Sequence, residues 1–254
     1  MVRRGLARSR EHAVEQIESG LVLVKGLPAN KAATQVDAET SITVKSSGEE
    51  YVSRGGHKLA GALDAFPQIN VADKIALDAG ASTGGFTDVL LRRGAKKVIA
   101  VDVGYGQLAW SLQNDSRVEI HDRTNVRNLT RQLIADEPKL VVADLSFISL
   151  TLVLSALIEV AHPEADFLIM VKPQFEVGRE KLGAGGVVRE PQLRAEAVRD
   201  VVEGARSVGL GTLGVVASPL PGPSGNVEYF LWMKRGDAMI SMEKIIEAVS
   251  KGPQ

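Results

Sequence analysis

Four ionisable residues stand on four separate segments of the chain, each within or next to a predicted helix or strand. They are two lysines and two carboxylic acids: Lys58, Asp144, Lys172 and Glu228. A buried charge is costly unless it is paired, so these residues are poor material for a hydrophobic core. A single such residue is usually solvated at the rim of a sheet, but four in one crevice could act together. Partial burial and a second ammonium nearby favour the neutral amine of a lysine, which could then orient a hydroxyl group or take its proton.

A glycine turn lies between the first two of these residues. It reads Asp78-Ala79-Gly80-Ala81-Ser82-Thr83-Gly84-Gly85-Phe86-Thr87 and follows residues 75–78, which predict a buried strand. Glycines let the backbone approach a ligand closely, and open α/β sheets bind ligands beyond the carboxyl ends of their strands. Asp102 closes the next predicted strand, 22 residues after Gly80, where an acid can accept hydrogen bonds from ribose hydroxyls. These features indicate a nucleoside-bearing cofactor; the alternative is an ordinary tight turn between strand and helix.

The spacing of the turn narrows the choice of cofactor. It is not the Gly-x-Gly-x-x-Gly of dinucleotide-binding loops, and no Gly-Lys-Ser/Thr follows as in phosphate-binding loops. The pattern strand, Asp-x-Gly-x-x-x-Gly-Gly-Phe, helix resembles the loop that binds S-adenosyl-L-methionine, which has no phosphates. Asp122 follows the third predicted strand and could contact the adenine, or it could pair with Arg123. The candidate cofactor-binding residues are Asp78, Gly80, Ser82, Thr83, Gly84, Gly85, Phe86, Asp102, Asp122 and Asp144.

Strand and helix signals alternate through most of the chain, which is typical of an α/β fold. Parallel strands are predicted at residues 75–78, 97–102, 118–121, 140–144 and 167–172. A late strand at residues 227–234 is expected to pair antiparallel with residues 213–217. Residues 84–93 predict a helix, and Lys58 belongs to a helix that starts near residues 55–57. Because parallel strands end at one edge, Asp144 and Lys172 should face the crevice that holds the cofactor.

Residues 1–47 form a separate, shorter and more polar region. Ser9 is a favourable N-cap for a helix that Gly20 ends, and strands are predicted at residues 21–26 and 40–44. The basic end of this region suits contact with phosphate groups, although a solvated terminus is an equally simple interpretation. The candidate RNA-binding residues are Arg3, Arg4, Arg8, Arg10, Lys25 and Lys31. A linker at residues 48–53 then leads to a second domain at residues 54–254.

Composition excludes several kinds of site. The chain of 254 residues contains no cysteine, which excludes disulfides, thiolate metal sites and cysteine nucleophiles. The absence of cysteine fits a reducing compartment, and no apolar stretch follows the basic N-terminus as it would in a secretory signal. We therefore expect a cytoplasmic protein. We also expect no metal ion. The most apolar stretch, residues 145–161, contains Glu159 and several serines, which favours a buried helix over a membrane span.

Two resemblances connect these patterns with known families. Ser9-Arg10-Glu11-His12-Ala13 and Ile17-Glu18-Ser19-Gly20-Leu21-Val22-Leu23-Val24-Lys25-Gly26 resemble the small RNA-binding domain of ribosomal protein S4. The two lysines and two acids resemble the Lys-Asp-Lys-Glu tetrad of FtsJ-like 2′-O-ribose methyltransferases. The whole chain is similar to TlyA proteins, which join these two domains. That similarity rests on Arg54-Gly55-Gly56-His57-Lys58-Leu59, residues 78–87, 144–149 and 172–178, and Gly185-Gly186-Val187-Val188.

The resemblance implies a Rossmann-like methyltransferase with a mostly parallel seven-stranded sheet, preceded by a small α+β RNA-binding domain. It implies S-adenosyl-L-methionine as cofactor and 2′-O-methylation of ribose in ribosomal RNA, within assembled ribosomal subunits. Lys172 would then be the base or the group that orients the hydroxyl, and the N-terminal basic residues would hold RNA by phosphate contacts. No stable membrane association is expected.

Other functions stay open at the level of sequence. Amino-group methyltransferases usually carry Asn/Asp-Pro-Pro-Tyr/Phe where this chain has Asp144-Leu145-Ser146-Phe147, and carbon-5 methylation of cytosine normally needs a cysteine, so methylation of an RNA base is disfavoured. TlyA relatives are often labelled haemolysins, which makes a membrane-active protein a second alternative. An RNA-binding module without catalysis is a third, disfavoured by the complete tetrad. The glycine-rich residues 174–188 could form a lid over the crevice.

Overall fold

The structure is a computed structural model that describes residues 1–7, 9–29, 31–37, 39–44, 51–178, 180, 182–222 and 224–253. The chain divides into two compact units, Met1–Glu50 and Tyr51–Gln254, each with a sheet of its own. The linker expected at residues 48–53 lies partly outside the described residues. The domain bounds inferred from the sequence stay a prediction.

The N-terminal unit combines one α-helix with a small antiparallel sheet. Helix α1 (Arg10–Glu18) begins after Ser9, whose side chain accepts a hydrogen bond from the backbone N–H of His12 (3.1 Å), as the sequence predicts. The strands are β1 (Val22–Val24), β2 (Leu27–Pro28) and β3 (Ile42–Val44). β1 is central and pairs with both others, so the two predicted strands are confirmed with shorter bounds. β2 was not predicted, because a strand of two residues is too short to show an alternating pattern.

The C-terminal unit contains a seven-stranded sheet. Its strands are β4 (Ile75–Ala79), β5 (Lys97–Val101), β6 (Val118–His121), β7 (Leu140–Ala143), β8 (Asp166–Val171), β9 (Leu210–Ala217) and β10 (Tyr229–Arg235). Their order is β6-β5-β4-β7-β8-β10-β9; β10 runs antiparallel to both of its neighbours, β8 and β9, and the other pairs are parallel. The strand order reverses between β4 and β7, the place where open α/β sheets bind ligands. The predicted parallel strands and the late antiparallel pair are confirmed, with bounds that differ by a few residues.

Helices cover both faces of this sheet. They are α2 (Gly55–Ala65), α3 (Gly85–Arg92), α4 (Trp110–Gln113), α5 (Leu154–Val160), α6 (Pro173–Glu176), α7 (Pro191–Ser207) and α8 (Met242–Lys251). Successive side chains of a strand point to opposite faces. Ala76, Val142 and Phe230 therefore belong to the core that includes α2 and α3. Their chain neighbours Leu77 and Val141 belong to the core that includes α5, α7 and α8.

Residues 145–161, the most apolar stretch of the sequence, form an α-helix only in their second half. Residues 145–149 are irregular, a 3-10 turn follows at Leu150–Leu152, and α5 comes after it. The expected buried helix is wrong for the first half, because this part lies at the carboxyl edge of the sheet and makes polar contacts there. α5 itself is buried against the sheet. Within the described residues, no helix has the length and apolar character needed to cross a membrane.

Candidate active site

The four ionisable residues selected from the sequence come from segments that meet at one edge of the large sheet. β7 and β8 are parallel neighbours, so Asp144 and Lys172, which directly follow them, lie at the same edge. β10 runs antiparallel to β8 with Tyr229 opposite Val171, which places the preceding residue, Glu228, beside Lys172 in the register. Glu228 thus lies just before the late strand that it was expected to open. The fourth residue comes from α2, which packs on one face of this sheet.

The four side chains form two ion pairs. Nζ of Lys58 lies 2.5 Å from Oε2 of Glu228, and the two side chains are 6% and 1% exposed. Nζ of Lys172 lies 2.6 Å from Oδ1 of Asp144, with 11% and 23% of the side chains exposed. Lys172 also donates a hydrogen bond to Oγ of Ser146 (2.9 Å). Each lysine is paired with its own carboxylate, and the expected approach of the two ammonium groups to each other stays a prediction.

Glycines allow α2 to bring Lys58 to this edge. A Cβ atom on Gly85, the first residue of α3, would lie 2.8 Å from the backbone nitrogen of Gly56 in α2. Two helix N-termini can approach this closely only where a side chain is missing. The guanidinium of Arg54, just before α2, donates a hydrogen bond to the carbonyl oxygen of Pro221 (2.5 Å). The start of α2 is therefore tied to the segment that precedes β10.

The glycine turn after β4 packs closely against its neighbours. Gly80 has a φ of +88°, and a Cβ atom there would lie 2.5 Å from the carbonyl oxygen of Asp144. Gly84 has a φ of +97°, and a Cβ atom there would lie 2.3 Å from Cδ1 of Leu112. Both positions have a left-handed backbone that favours glycine, and at Gly80 the neighbouring backbone leaves no space for a Cβ atom.

Asp102, after β5, fixes this turn from the side. Its carboxylate accepts hydrogen bonds from the backbone N–H groups of Ser82 (2.8 Å) and Gly104 (2.7 Å). A carboxylate has further lone pairs, so an acid held in this way can still accept a bond from a ribose hydroxyl. The carbonyl oxygen of Thr83 accepts a hydrogen bond from the N–H of Ala109 (3.1 Å), which joins the turn to the loop after β5.

The structure also shows the contacts of two further cofactor-binding candidates, Asp122 and Phe86. Asp122 accepts a hydrogen bond from a backbone N–H of the loop after β5 (2.9 Å). The guanidinium of Arg123 lies 4.3 Å from the centroid of the Tyr105 ring, so the structure places it on an aromatic face. Phe86 is 3% exposed, and its ring centroid lies 6.0 Å from that of Phe230, so it packs in the core.

Asp78 is fully buried in β4. Its Oδ2 accepts a hydrogen bond from Oγ1 of Thr87 (2.7 Å), whereas its Oδ1 has no hydrogen-bond partner among the residues that the structure describes. Burial raises the pKa of Asp78 to about 7; the bond from Thr87 opposes the rise, and the charges of Asp144 and Asp102 add to it. Acids beside a glycine turn suit a cationic nucleoside. S-adenosyl-L-methionine carries an ammonium and a sulfonium and no phosphate, so these residues fit it.

The structure adds polar residues that their spacing did not reveal. Ser146 is the second partner of Lys172. Glu176 accepts hydrogen bonds from Oγ of Ser149 (2.6 Å) and from the N–H of Leu150 (2.9 Å). Asn226 is 3% exposed, and its Oδ1 accepts a backbone N–H from the glycine-rich segment before α7 (2.9 Å). These residues lie within or beside the motifs quoted above, but most of their partners are distant in sequence, so no local pattern could have found them.

The basic residues of the N-terminal unit differ in their surroundings. The guanidinium of Arg4 donates hydrogen bonds to the carbonyl oxygens of Thr40 (2.6 Å) and Asp37 (2.5 Å), and so links distant parts of this unit. Four others are exposed: Arg3, Arg10, Lys25 and Lys31. Arg8 lies outside the described residues. A role in RNA binding stays a prediction for all six.

Both units match known families. A model of the FtsJ-like methyltransferases matches residues 51–235, and a model of the S4 domain matches residues 1–42. The chain is 57% identical over 259 residues to the 16S/23S rRNA (cytidine-2′-O)-methyltransferase TlyA of Mycobacterium tuberculosis, across 100% of this chain and 96% of that protein. It is 37% identical over 226 residues to Hemolysin A of Brachyspira hyodysenteriae, across 89% of this chain and 93% of that protein.

A solved structure agrees over nearly the whole chain. A hemolysin-named protein from Streptococcus thermophilus superposes with a TM-score of 0.81 at 38% identity, across 98% of this chain and 92% of that one. The sheet order, with its antiparallel β10, and the turn that fits S-adenosyl-L-methionine agree with these matches and confirm the predicted fold class. The chain belongs to the TlyA family, in which an S-adenosyl-L-methionine-dependent, FtsJ-like methyltransferase follows an N-terminal S4 domain.

Proposed function

We propose that this protein transfers a methyl group to the 2′-hydroxyl of a ribose in ribosomal RNA. The observation that carries the proposal is the contact of Lys172 with Asp144 and Ser146 at the carboxyl edge of the sheet, next to the glycine turn. The Mycobacterium tuberculosis relative is named as an rRNA (cytidine-2′-O)-methyltransferase, which supports a ribose oxygen as the acceptor. A cytidine is therefore the nucleoside to look for first.

A ribose hydroxyl is a weak nucleophile that must be oriented and must lose its proton as the new bond forms. S-adenosyl-L-methionine supplies an activated methyl group when it is bound. The ammonium of Lys172 has three N–H donors; it donates one to Oγ of Ser146 and forms an ion pair with Asp144. A remaining N–H is donated to the 2′-oxygen and orients it. Transfer would break the bond between the methyl carbon and the cofactor's sulfur and leave S-adenosyl-L-homocysteine. As the ribose O–H bond breaks, the carboxylate of Asp144 receives the proton.

The second ion pair has a different role in this scheme. The side chains of Lys58 and Glu228 are almost completely enclosed, so they are poorly placed to bind RNA directly. Their pairing connects α2 with the segment before β10. We assign to this pair the task of holding the crevice in shape around Lys172.

The N-terminal unit provides the RNA-binding surface in this proposal. S4 domain membership and four exposed basic residues support it. Contacts to phosphates position RNA without reading its bases, so the shape of an assembled ribosomal subunit selects the target nucleotide. The protein acts where ribosomal subunits are found, in the cytoplasm.

The test is methyl transfer from isotopically labelled S-adenosyl-L-methionine to purified ribosomal subunits, with mass spectrometry of the digested nucleosides. We expect a 2′-O-methylated cytidine that is lost in Lys172→Ala while S-adenosyl-L-methionine still binds, as measured by calorimetry. Lys251→Ala is the matched control, because Lys251 is an exposed lysine of α8 in a surface pair with Glu247. A methylated base as the product, or normal labelling by Lys172→Ala, would contradict the proposal.

A further inference from the structure

Lys172 and its two partners lie on different segments, so their contacts require that the two segments stay in place relative to each other. Lys172 lies between β8 and α6, whereas its partners Asp144 and Ser146 lie on the irregular residues 144–149 after β7. An irregular segment lacks the backbone ladder that holds a strand in place. Something outside the segment must therefore hold it against α6.

Residues 144–149 also contain a strained backbone. Phe147 has a φ of +64°, in the left-handed region that a large aromatic residue rarely adopts, and its side chain is 91% exposed. Strain of this kind persists only where the surrounding structure enforces it. That ring lies 5.1 Å, centroid to centroid, from the ring of Phe175 in α6, and Leu145 and Ile148 pack against the core. Apolar contacts therefore hold part of the segment, and polar contacts at its end add to them.

Glu176, the last residue of α6, supplies such contacts. Its Oε2 accepts a hydrogen bond from Oγ of Ser149 (2.6 Å), and its Oε1 accepts one from the N–H of Leu150 (2.9 Å). Leu150 is 2% exposed and anchored in the core, so the carboxylate caps the 3-10 turn that ends the strained segment. Burial raises the pKa of Glu176, while the bonds from Ser149 and Leu150 oppose the rise and the charge of Asp200 adds to it.

We propose that Glu176 is a positioning residue for methyl transfer, which clamps residues 144–150 against α6 so that Asp144 and Ser146 meet Lys172. Glu176 ends the short helix that Lys172 directly precedes, so a shift at Glu176 passes directly to the contacts of Lys172. The clamp itself is inferred from geometry alone. Its effect on catalysis rests on the proposed function.

The test compares Glu176→Ala with Glu176→Gln in the full chain. A misplacement of about 1 Å can lower a rate by about 100-fold, so Glu176→Ala should lower kcat about 10- to 100-fold and change KM for the ribosomal subunit about twofold or less. Glutamine can accept from Leu150 and donate to Ser149, so Glu176→Gln should restore most of kcat. Glu164→Ala, at an exposed acid on the opposite edge of the sheet, is the control and should behave as the native chain.

Amide hydrogen exchange gives a readout that needs no substrate. The N–H of Leu150 should exchange faster in Glu176→Ala than in the native chain and stay protected in Glu176→Gln. Unchanged exchange at Leu150 in Glu176→Ala would overturn the clamp. This readout is independent of the proposed function, because it applies even if the native chain methylates no RNA. Normal kcat in Glu176→Ala, beside an active native chain, overturns the catalytic consequence. If Glu176→Ala does not fold, Ser149→Ala removes one of the two bonds and must lower kcat severalfold for the proposal to stand.

Discussion

Replacing Glu228 with glutamine would leave the ammonium of Lys58 enclosed without its carboxylate. The two atoms of the pair are 2.5 Å apart and their side chains are 6% and 1% exposed, so water can do little to solvate the remaining charge. Removal of one partner from a buried ion pair costs about 3–5 kcal/mol of folding free energy. For a unit the size of Tyr51–Gln254, each kcal/mol lowers Tm by about 2–4 °C, so Glu228→Gln should lose about 6–20 °C.

The assay is urea denaturation followed by circular dichroism, with Tm from calorimetry, on the full chain. Asp144→Asn is the comparison, because the pair that it breaks has 23% and 11% of its side chains exposed, so water partly solvates the remaining charge and the loss should be smaller. The double variant Lys58→Met with Glu228→Gln removes both charges and should regain most of the loss. A loss in Glu228→Gln no larger than that in Asp144→Asn would refute the inference that the two pairs differ in role.

Two further changes test the cofactor turn. Gly80→Ala places a Cβ atom 2.5 Å from a carbonyl oxygen, so it should weaken S-adenosyl-L-methionine binding at least about tenfold, as measured by calorimetry. The control is Gly209→Ala, which has a similar φ of +83° and open space around it and should bind the cofactor as the native chain does. Because the pKa of Asp78 is raised to about 7, its neutral form contributes stability that is complete below about pH 4 and is lost as the pH rises through about 7. A rise of about three corresponds to about 4 kcal/mol, so Asp78→Asn should gain up to that amount relative to the native chain between about pH 4 and 8 in urea denaturation. A pH-independent difference would contradict this assignment.

The sequence predicted the large sheet well, because its signals are local. Buried parallel strands are short apolar stretches, and each was found within a few residues of its observed bounds. The antiparallel pairing of β9 and β10 was also predictable, since two strand signals stood next to each other late in the chain. Residues 145–149 were misjudged because apolar content alone does not distinguish a covering helix from a strained loop at the edge of a sheet.

The candidate site was predictable as a set of residues and not as a set of contacts. Acids at strand ends and a glycine turn can be recognised in the sequence, because the edge of a parallel sheet collects whatever follows its strands. Which carboxylate each lysine would meet could not be recognised, since the partners are separated by up to 170 positions. Arg4 illustrates the same limit: its charge suggested RNA, whereas its bonds to Thr40 and Asp37 depend on how the small unit folds.

By itself the sequence determined the alternation of strands and helices, the positions of the glycines and the residue types that line the crevice, because periodicity and turn chemistry act over a few neighbouring residues. Only the tertiary structure decided that Lys58 is enclosed with Glu228, that Lys172 forms a more exposed pair with Asp144, and that Glu176 contacts the strained segment. Burial and pairing depend on which distant surfaces pack together, and that packing is a property of the whole fold.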